Sequence, residues 1–164
     1  MQMGLKRSCH SLAVIAMLTT ALAGALVAQA ADPQIGSWKL NVAKSTFSPG
    51  PAPQSATTEI EAAGAGAKLV VDQTMADGTT RHWEFTANYD GKDVPITGNN
   101  PDADTVARTR VNANTVETIS KKAGKVVITQ QSTVSADGKT RTVTTKGVNA
   151  DGKPVNNVAV YEKQ

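Results

Sequence analysis

Cysteine occurs once in the 164 residues, at Cys9, and histidine twice, at His10 and His82. Cys9 and His10 both sit in a leader-like start. Lys6 and Arg7 supply positive charge, residues 12–28 form an uncharged run rich in Ala and Leu, and Ala28-Gln29-Ala30 is an A-x-A cleavage signature followed by Asp32-Pro33. That order predicts a secretory signal peptide over residues 1–31, removed on export to the periplasm or the extracellular space. Small residues within the run and the cleavage signature argue against a membrane anchor, so no stable anchor is expected after cleavage. Cys9 precedes the apolar run, whereas a lipidated cysteine at a processed end would follow it. The mature chain, 32–164, then holds no thiol and a single histidine. Disulfides are excluded even in an oxidising compartment, and His82 without a cysteine partner cannot complete a structural zinc site.

A strong charge of one sign is missing as well. Without Lys6 and Arg7 the chain carries fifteen basic side chains against fourteen acidic ones, and the basic residues are scattered singly. Nucleic acid, which wants a concentrated basic face, is not an expected partner. Helical periodicity is nearly absent after the leader, where the many Thr and Val residues suit a pleated surface.

What the chain does have is turn signals. Asp77-Gly78, Asp90-Gly91, Asp137-Gly138 and Asp151-Gly152 are four Asp-Gly pairs flanked by β-formers, and Gly64-Ala65-Gly66 and Ala123-Gly124 add looser turns. Each predicts a reversal from one strand into the next. Ala-Asp-Gly recurs from Ala76, Ala136 and Ala150 at unequal spacing, which is one turn chemistry reused and not a solenoid period. Strands are expected over 35–42, 57–62, 68–75, 79–89, 94–96, 105–111, 115–121, 125–135, 140–146 and 155–162. Residues 44–53, with Pro49, Pro51 and Pro53, are a crossover that cannot pair regularly, and Phe47 within it needs a docking place. An antiparallel meander of this length in one domain must close or sandwich its edges. Faces that mix Thr, Gln and Asn with Val and Ile favour a barrel with a partly polar interior.

Two ends of the mature chain carry a resemblance. Gly36-Ser37-Trp38-Lys39-Leu40 opens it and Val158-Ala159-Val160-Tyr161-Glu162-Lys163 closes it. This resembles the calycin group, the lipocalins and fatty-acid-binding proteins, in which a Gly-x-Trp on the first strand plugs one barrel end and the last strand returns beside the first. The implied fold is all-β: an antiparallel up-and-down calycin-like barrel of about eight to ten strands over 32–164. The implied function is binding of a small hydrophobic or amphipathic ligand. The alternative is an interaction module whose barrel is filled. The Arg-x-Tyr carboxylate reader of the fatty-acid-binding branch is incomplete, because Tyr161 is present but Ala159 stands at the arginine position. The helical lid of that branch has no counterpart in 44–53.

The candidate ligand contacts are Trp38, Trp83, Phe85, Tyr89, Arg108, Arg110 and Tyr161. Trp38 reads first as a floor cap. Trp83, Phe85 and Tyr89 share one strand face and either line a cavity or fill the core. Arg108 and Arg110 share a face with Val106. Turned inward, one of them would replace the missing carboxylate clamp, but burial statistics favour a solvated outer face. His82 lies on the opposite, polar face from Trp83. Asn100-Pro101-Asp102-Ala103-Asp104 begins like a calcium loop but lacks the glycine and the distant glutamate. No nucleophile and base stand together in sequence, so no catalytic residue, metal or cofactor is expected and the protein is read as a non-enzyme.

Overall fold

The chain runs through β1 (Gly36–Leu40), a single 3-10 turn (Val42–Lys44), β2 (Ser55–Ala63), β3 (Gly66–Thr74), β4 (Thr80–Asn88), β5 (Val94–Pro95), β6 (Thr97–Gly98), β7 (Thr105–Arg110), β8 (Thr115–Lys122), β9 (Lys125–Val134), β10 (Thr140–Val148) and β11 (Pro154–Lys163). The computed structural model describes residues 31–164, and the predicted leader lies outside them except for Ala31. Every pairing is antiparallel, and all the strands belong to one sheet in the order β5-β7-β8-β9-β10-β11-β1-β2-β3-β4-β6. First and last strands are neighbours, with Trp38 opposite Lys163 and Leu40 opposite Tyr161.

Turn chemistry sets this meander. In the three Ala-Asp-Gly turns the glycine N–H returns to the carbonyl three residues earlier: Gly78 to Met75, Gly138 to Ser135 and Gly152 to Asn149. Each glycine has positive φ while its aspartate does not, so these are longer loops than the two-residue hairpin that Asp-Gly suggests. The aspartate instead accepts the backbone N–H two residues on in two of them, Asp77 from Thr79 and Asp137 from Lys139. The tight two-residue turns sit at the sites read as looser. Ala123-Gly124, both at positive φ, joins Lys122 to Lys125, and Gly64-Ala65 joins Ala63 to Gly66.

Asp90-Gly91 is not a hairpin at all. It carries the chain from β4 across to β7, where Asp90 bridges Thr109 and the Gly91 N–H donates to Arg108 O at 2.8 Å. The predicted strand over 94–96 then divides around Ile96. β5 pairs with β7, Val94 against Val106, and β6 pairs with β4, Gly98 against Trp83. This one segment stitches the two sheet edges and closes the barrel without a direct β4–β7 ladder. It also accounts for eleven strands where about ten were expected.

Residues 44–53 prove to be ordered along part of their length. Asn41 accepts the Lys44 N–H, and the chain then resumes beside β11, with Thr46 exchanging backbone hydrogen bonds with Val158 and Ser48 O accepting from Asn156. Phe47 docks against the core. The strand predicted over 35–42 therefore ends at Leu40, and Val42, which continued alternation would place on the face of Trp38 and Leu40, is 37% exposed on the turn. Alternation is clear on β4. There Phe85 and Ala87 are buried while His82, Thr86 and Asn88 face solvent.

Candidate functional site

Inward side chains of β4, β7, β8, β9, β10 and β11 leave a cavity of about 370 Å³ toward one barrel end. Its apolar wall includes Trp83 and Phe85 from β4, Ile96 from the stitch, Val106 from β7 and Val143 from β10. Polar groups from β8, β9, β10 and β11 converge on the same space: Thr118, Gln130, Thr145 and Tyr161. Pro49, Pro51 and Pro53 of the crossover and Asn149–Asp151 of the last hairpin form its rim. Arg81 also lines it and contacts Asp102 across the rim at 3.5 Å.

Below the cavity lies a charged layer. Arg108 follows the cavity-lining Val106 by two residues on β7, and Arg141 precedes Val143 by two on β10, so strand alternation turns both inward. They are 1% and 6% exposed. The outward placement favoured for Arg108 and Arg110 is thus reversed. The statistical preference for exposing charge yields here to the alternation fixed by Val106. Burial pushes the Arg108 guanidinium below its ordinary value and brings that of Arg141 down to about 10. Arg141 Nε donates to Ser132 Oγ at 2.7 Å, and its guanidinium lies 5.5 Å from the Tyr161 ring centre.

Arg110 lies farther down, locked to Asp32, whose carboxylate also accepts the Tyr89 hydroxyl at 2.7 Å. The Tyr89 ring is flanked by both guanidinium groups, Arg110 at 3.9 Å and Arg108 at 5.0 Å. Burial alone would raise the Asp32 carboxyl, but hydrogen bonds from Arg110, Tyr89 and the Gln34 N–H, together with the Arg110 charge, hold it below the ordinary value. A depressed carboxyl stabilises the fold above its unfolded-state pKa, and that contribution is lost as pH falls through the folded-state value. Asp32→Asn is accordingly expected to cost about 2 kcal/mol at neutral pH. In urea unfolding across pH, the gap between parent and variant should close on acidification. A constant gap would show that the charge of Asp32 is immaterial.

Trp38 closes the floor. It is fully buried, and its Nε1 donates to Gln34 O at 2.9 Å. Gln34, also fully buried, reaches across the barrel end. Its Nε2 donates to Asn114 O and Ser132 O, and its Oε1 accepts from Ser132 Oγ at 2.9 Å. An up-and-down antiparallel meander, paired at its two ends and plugged by the tryptophan of a first-strand Gly-x-Trp, settles the fold. The chain folds as a closed, antiparallel up-and-down β-barrel.

No family model and no curated protein matches the chain. Among solved structures, it is similar to a redesigned β-barrel, with a TM-score of 0.46 and 12% identity over 80% of this chain and 92% of that one. It is also similar to a zebrafish ileal bile acid-binding protein complexed with cholic acid, with a TM-score of 0.45 and 13% identity over 80% of this chain and 99% of that one.

Within this barrel the seven candidate contacts separate into two groups. Trp83, Phe85 and Tyr161 line the cavity. Trp38, Tyr89 and Arg110 do not, because each is committed to the floor, and Arg108 stands between the two groups. The other polar candidates have their own partners. The Asn100 side chain accepts the Asp102 and Ala103 N–H groups, and Asp104 accepts the Ala123 N–H, so these oxygens serve turns. His82 pairs with Asp72 at 2.7 Å on the exposed face. Sequence reading missed Gln34, Asp32 and Arg141. Arg141 had a usable signal, because it shares its strand face with Val143.

Proposed function

We propose that this protein is an exported, non-enzymatic binder of a small, largely apolar ligand held inside the barrel. The observation that carries the reading is the cavity of about 370 Å³, with aromatic and aliphatic walls and a few polar groups aimed inward. Small-molecule sites typically occupy roughly 300–1,000 Å³ with that mixture of linings. The rival reading, an interaction module, requires a filled barrel, and a void of this size weighs against it. Burial of the ligand's apolar part would supply affinity at roughly 25 cal/mol per Å² before the cost of association. Gln130, Thr118 and Tyr161 would orient it.

Native mass spectrometry of protein purified from its own host is expected to reveal a bound amphipathic or hydrophobic molecule. Trp83→Ala, which strips the widest aromatic surface from the wall, should weaken binding of a fluorescent lipid probe about tenfold. Protein that arrives empty and ignores the probe in its parent form would overturn the proposal.

A further inference from the structure

We propose that the ligand is an uncharged glycoside, a sugar ring carrying an apolar group, with the ring held between Trp83 and a belt of polar side chains on the opposite wall. This rests on the binding reading above and names the class of molecule that the cavity takes.

The belt follows from strand register. Thr118 on β8 stands opposite Gln130 on β9, Gln130 opposite Thr145 on β10, and Thr145 opposite Asn157 on β11. All of them line the cavity. Directly opposed residues share one face of a sheet with their Cβ atoms roughly 5 Å apart, so these side chains form a continuous row across the strands. The rows beside it are more apolar, with Val143 opposite Ala159 on one side and Ile128 and Val155 flanking Gly147 on the other. Polarity is therefore concentrated at one level of this wall.

None of these side chains ionises. Hydroxyls and carboxamides both donate and accept, so the belt fits groups that do the same, which ligand hydroxyls do and an acceptor-only carboxylate does not. Internal bonds orient both amides. Gln130 Nε2 donates to Thr145 Oγ1 at 3.2 Å, and Asn157 Oδ1 accepts the Ser48 N–H at 2.9 Å. That leaves Gln130 Oε1 as an acceptor and Asn157 Nδ2 as a donor for the ligand, with the Thr118 hydroxyl at the other end of the row serving as either. A row of donors and acceptors asks for several hydroxyls side by side, which is what the edge of a sugar ring presents.

The facing wall suits the rest of such a molecule. Round the closed ring of strands, β10 is the one farthest from β4, with β9 and β11 on its flanks. Trp83 and Phe85 of β4 and Ile96 of the stitch thus line the cavity across from the belt. A pyranose carries C–H groups on its faces and hydroxyls on its edge, so the indole can cover a face while the belt binds the edge. The apolar group would then lie along Phe85 and Ile96.

The test compares octyl β-glucoside, octanol and octanoate, all below the micelle concentration, by isothermal titration on the purified protein and on Gln130→Met and Thr118→Val. The glucoside is expected to bind the parent about tenfold tighter than either of the others. Gln130→Met, similar in length but without the carboxamide, should weaken the glucoside about five- to tenfold and octanol far less. Thr118→Val, which keeps the shape of the side chain should the methionine variant fold poorly, should show the same asymmetry. Octanol or octanoate binding as tightly as the glucoside would overturn the sugar proposal and leave the binder reading standing. If none of the three binds, both fall. Equal losses for glucoside and octanol in the two variants would make the belt a structural row only and overturn the proposal as well.

Discussion

Trp38→Ala is expected to remove about 4 kcal/mol of folding stability, the range in which a fully buried tryptophan loses both its transfer energy and the packing around it. The expectation comes from where the indole stands. Trp38 has no exposed surface, its Nε1 holds the Gln34 carbonyl at 2.9 Å, and Lys163 Nζ lies 5.1 Å from its ring centre. Its strand is the one that joins β11 to β2, so the void would open where the two chain ends are held together. Domains of this size are stable by roughly 5–15 kcal/mol, so the loss is a large fraction of the total. A lower urea midpoint with an unchanged slope would report it. Trp38→Phe, which restores most of the apolar surface but not the indole N–H, should cost about 1–2 kcal/mol. A cost below about 1 kcal/mol for the alanine variant would mean that the floor is held by other groups.

The same floor shows what could be read from residues and what could not. The Gly-x-Trp opening and the returning last strand point to a plugged, closed meander, because they are local patterns with one consistent outcome. β4 is legible for a related reason: Trp83, Phe85 and Ala87 alternate against His82, Glu84 and Thr86, and only one face can be buried. β7 is different. Val106, Arg108 and Arg110 face one way and Thr105, Ala107 and Thr109 the other, and neither set is decisively apolar. Alternation says which residues travel together, not which set enters the barrel. That choice is made by pairing with β8 and by the Tyr89 ring, both distant in sequence. Asp90-Gly91 failed as a hairpin signal for a similar reason. The dipeptide marks a change of direction, but whether the next strand pairs with the last one depends on which edge is waiting. Here the waiting edge was β7. Gln34 lies before the first strand, where no periodicity flags it, and its role exists only once the end of β8–β9 lies opposite.

The seam that sequence did not reveal should also be the most sensitive point of the site. Gly98→Ala is expected to cost about 3 kcal/mol, through a strained backbone and a direct clash. Gly98 has φ of +96°, and a Cβ there would meet His82 O at 2.4 Å and Trp83 Cα at 2.9 Å, both backbone atoms of the paired strand. Neither can give way without moving β6 off β4. The Asn99 N–H, which donates to His82 O at 2.6 Å, would be lost with it. Because Trp83 is the register partner of Gly98 and also lines the cavity, the damage should reach binding. Hydrogen exchange should speed up at Asn99 and along the neighbouring edge of β4, while β9 and β10 stay protected, and the affinity for a fluorescent lipid probe should fall. Gly124→Ala separates strain from crowding. Gly124 has φ of +76°, but a Cβ there would have nothing within 4 Å, so about 1 kcal/mol is expected with binding intact. Equal losses in the two variants would mean that close approach of β6 to β4 adds nothing, and that the barrel does not depend on this stitch for its pocket.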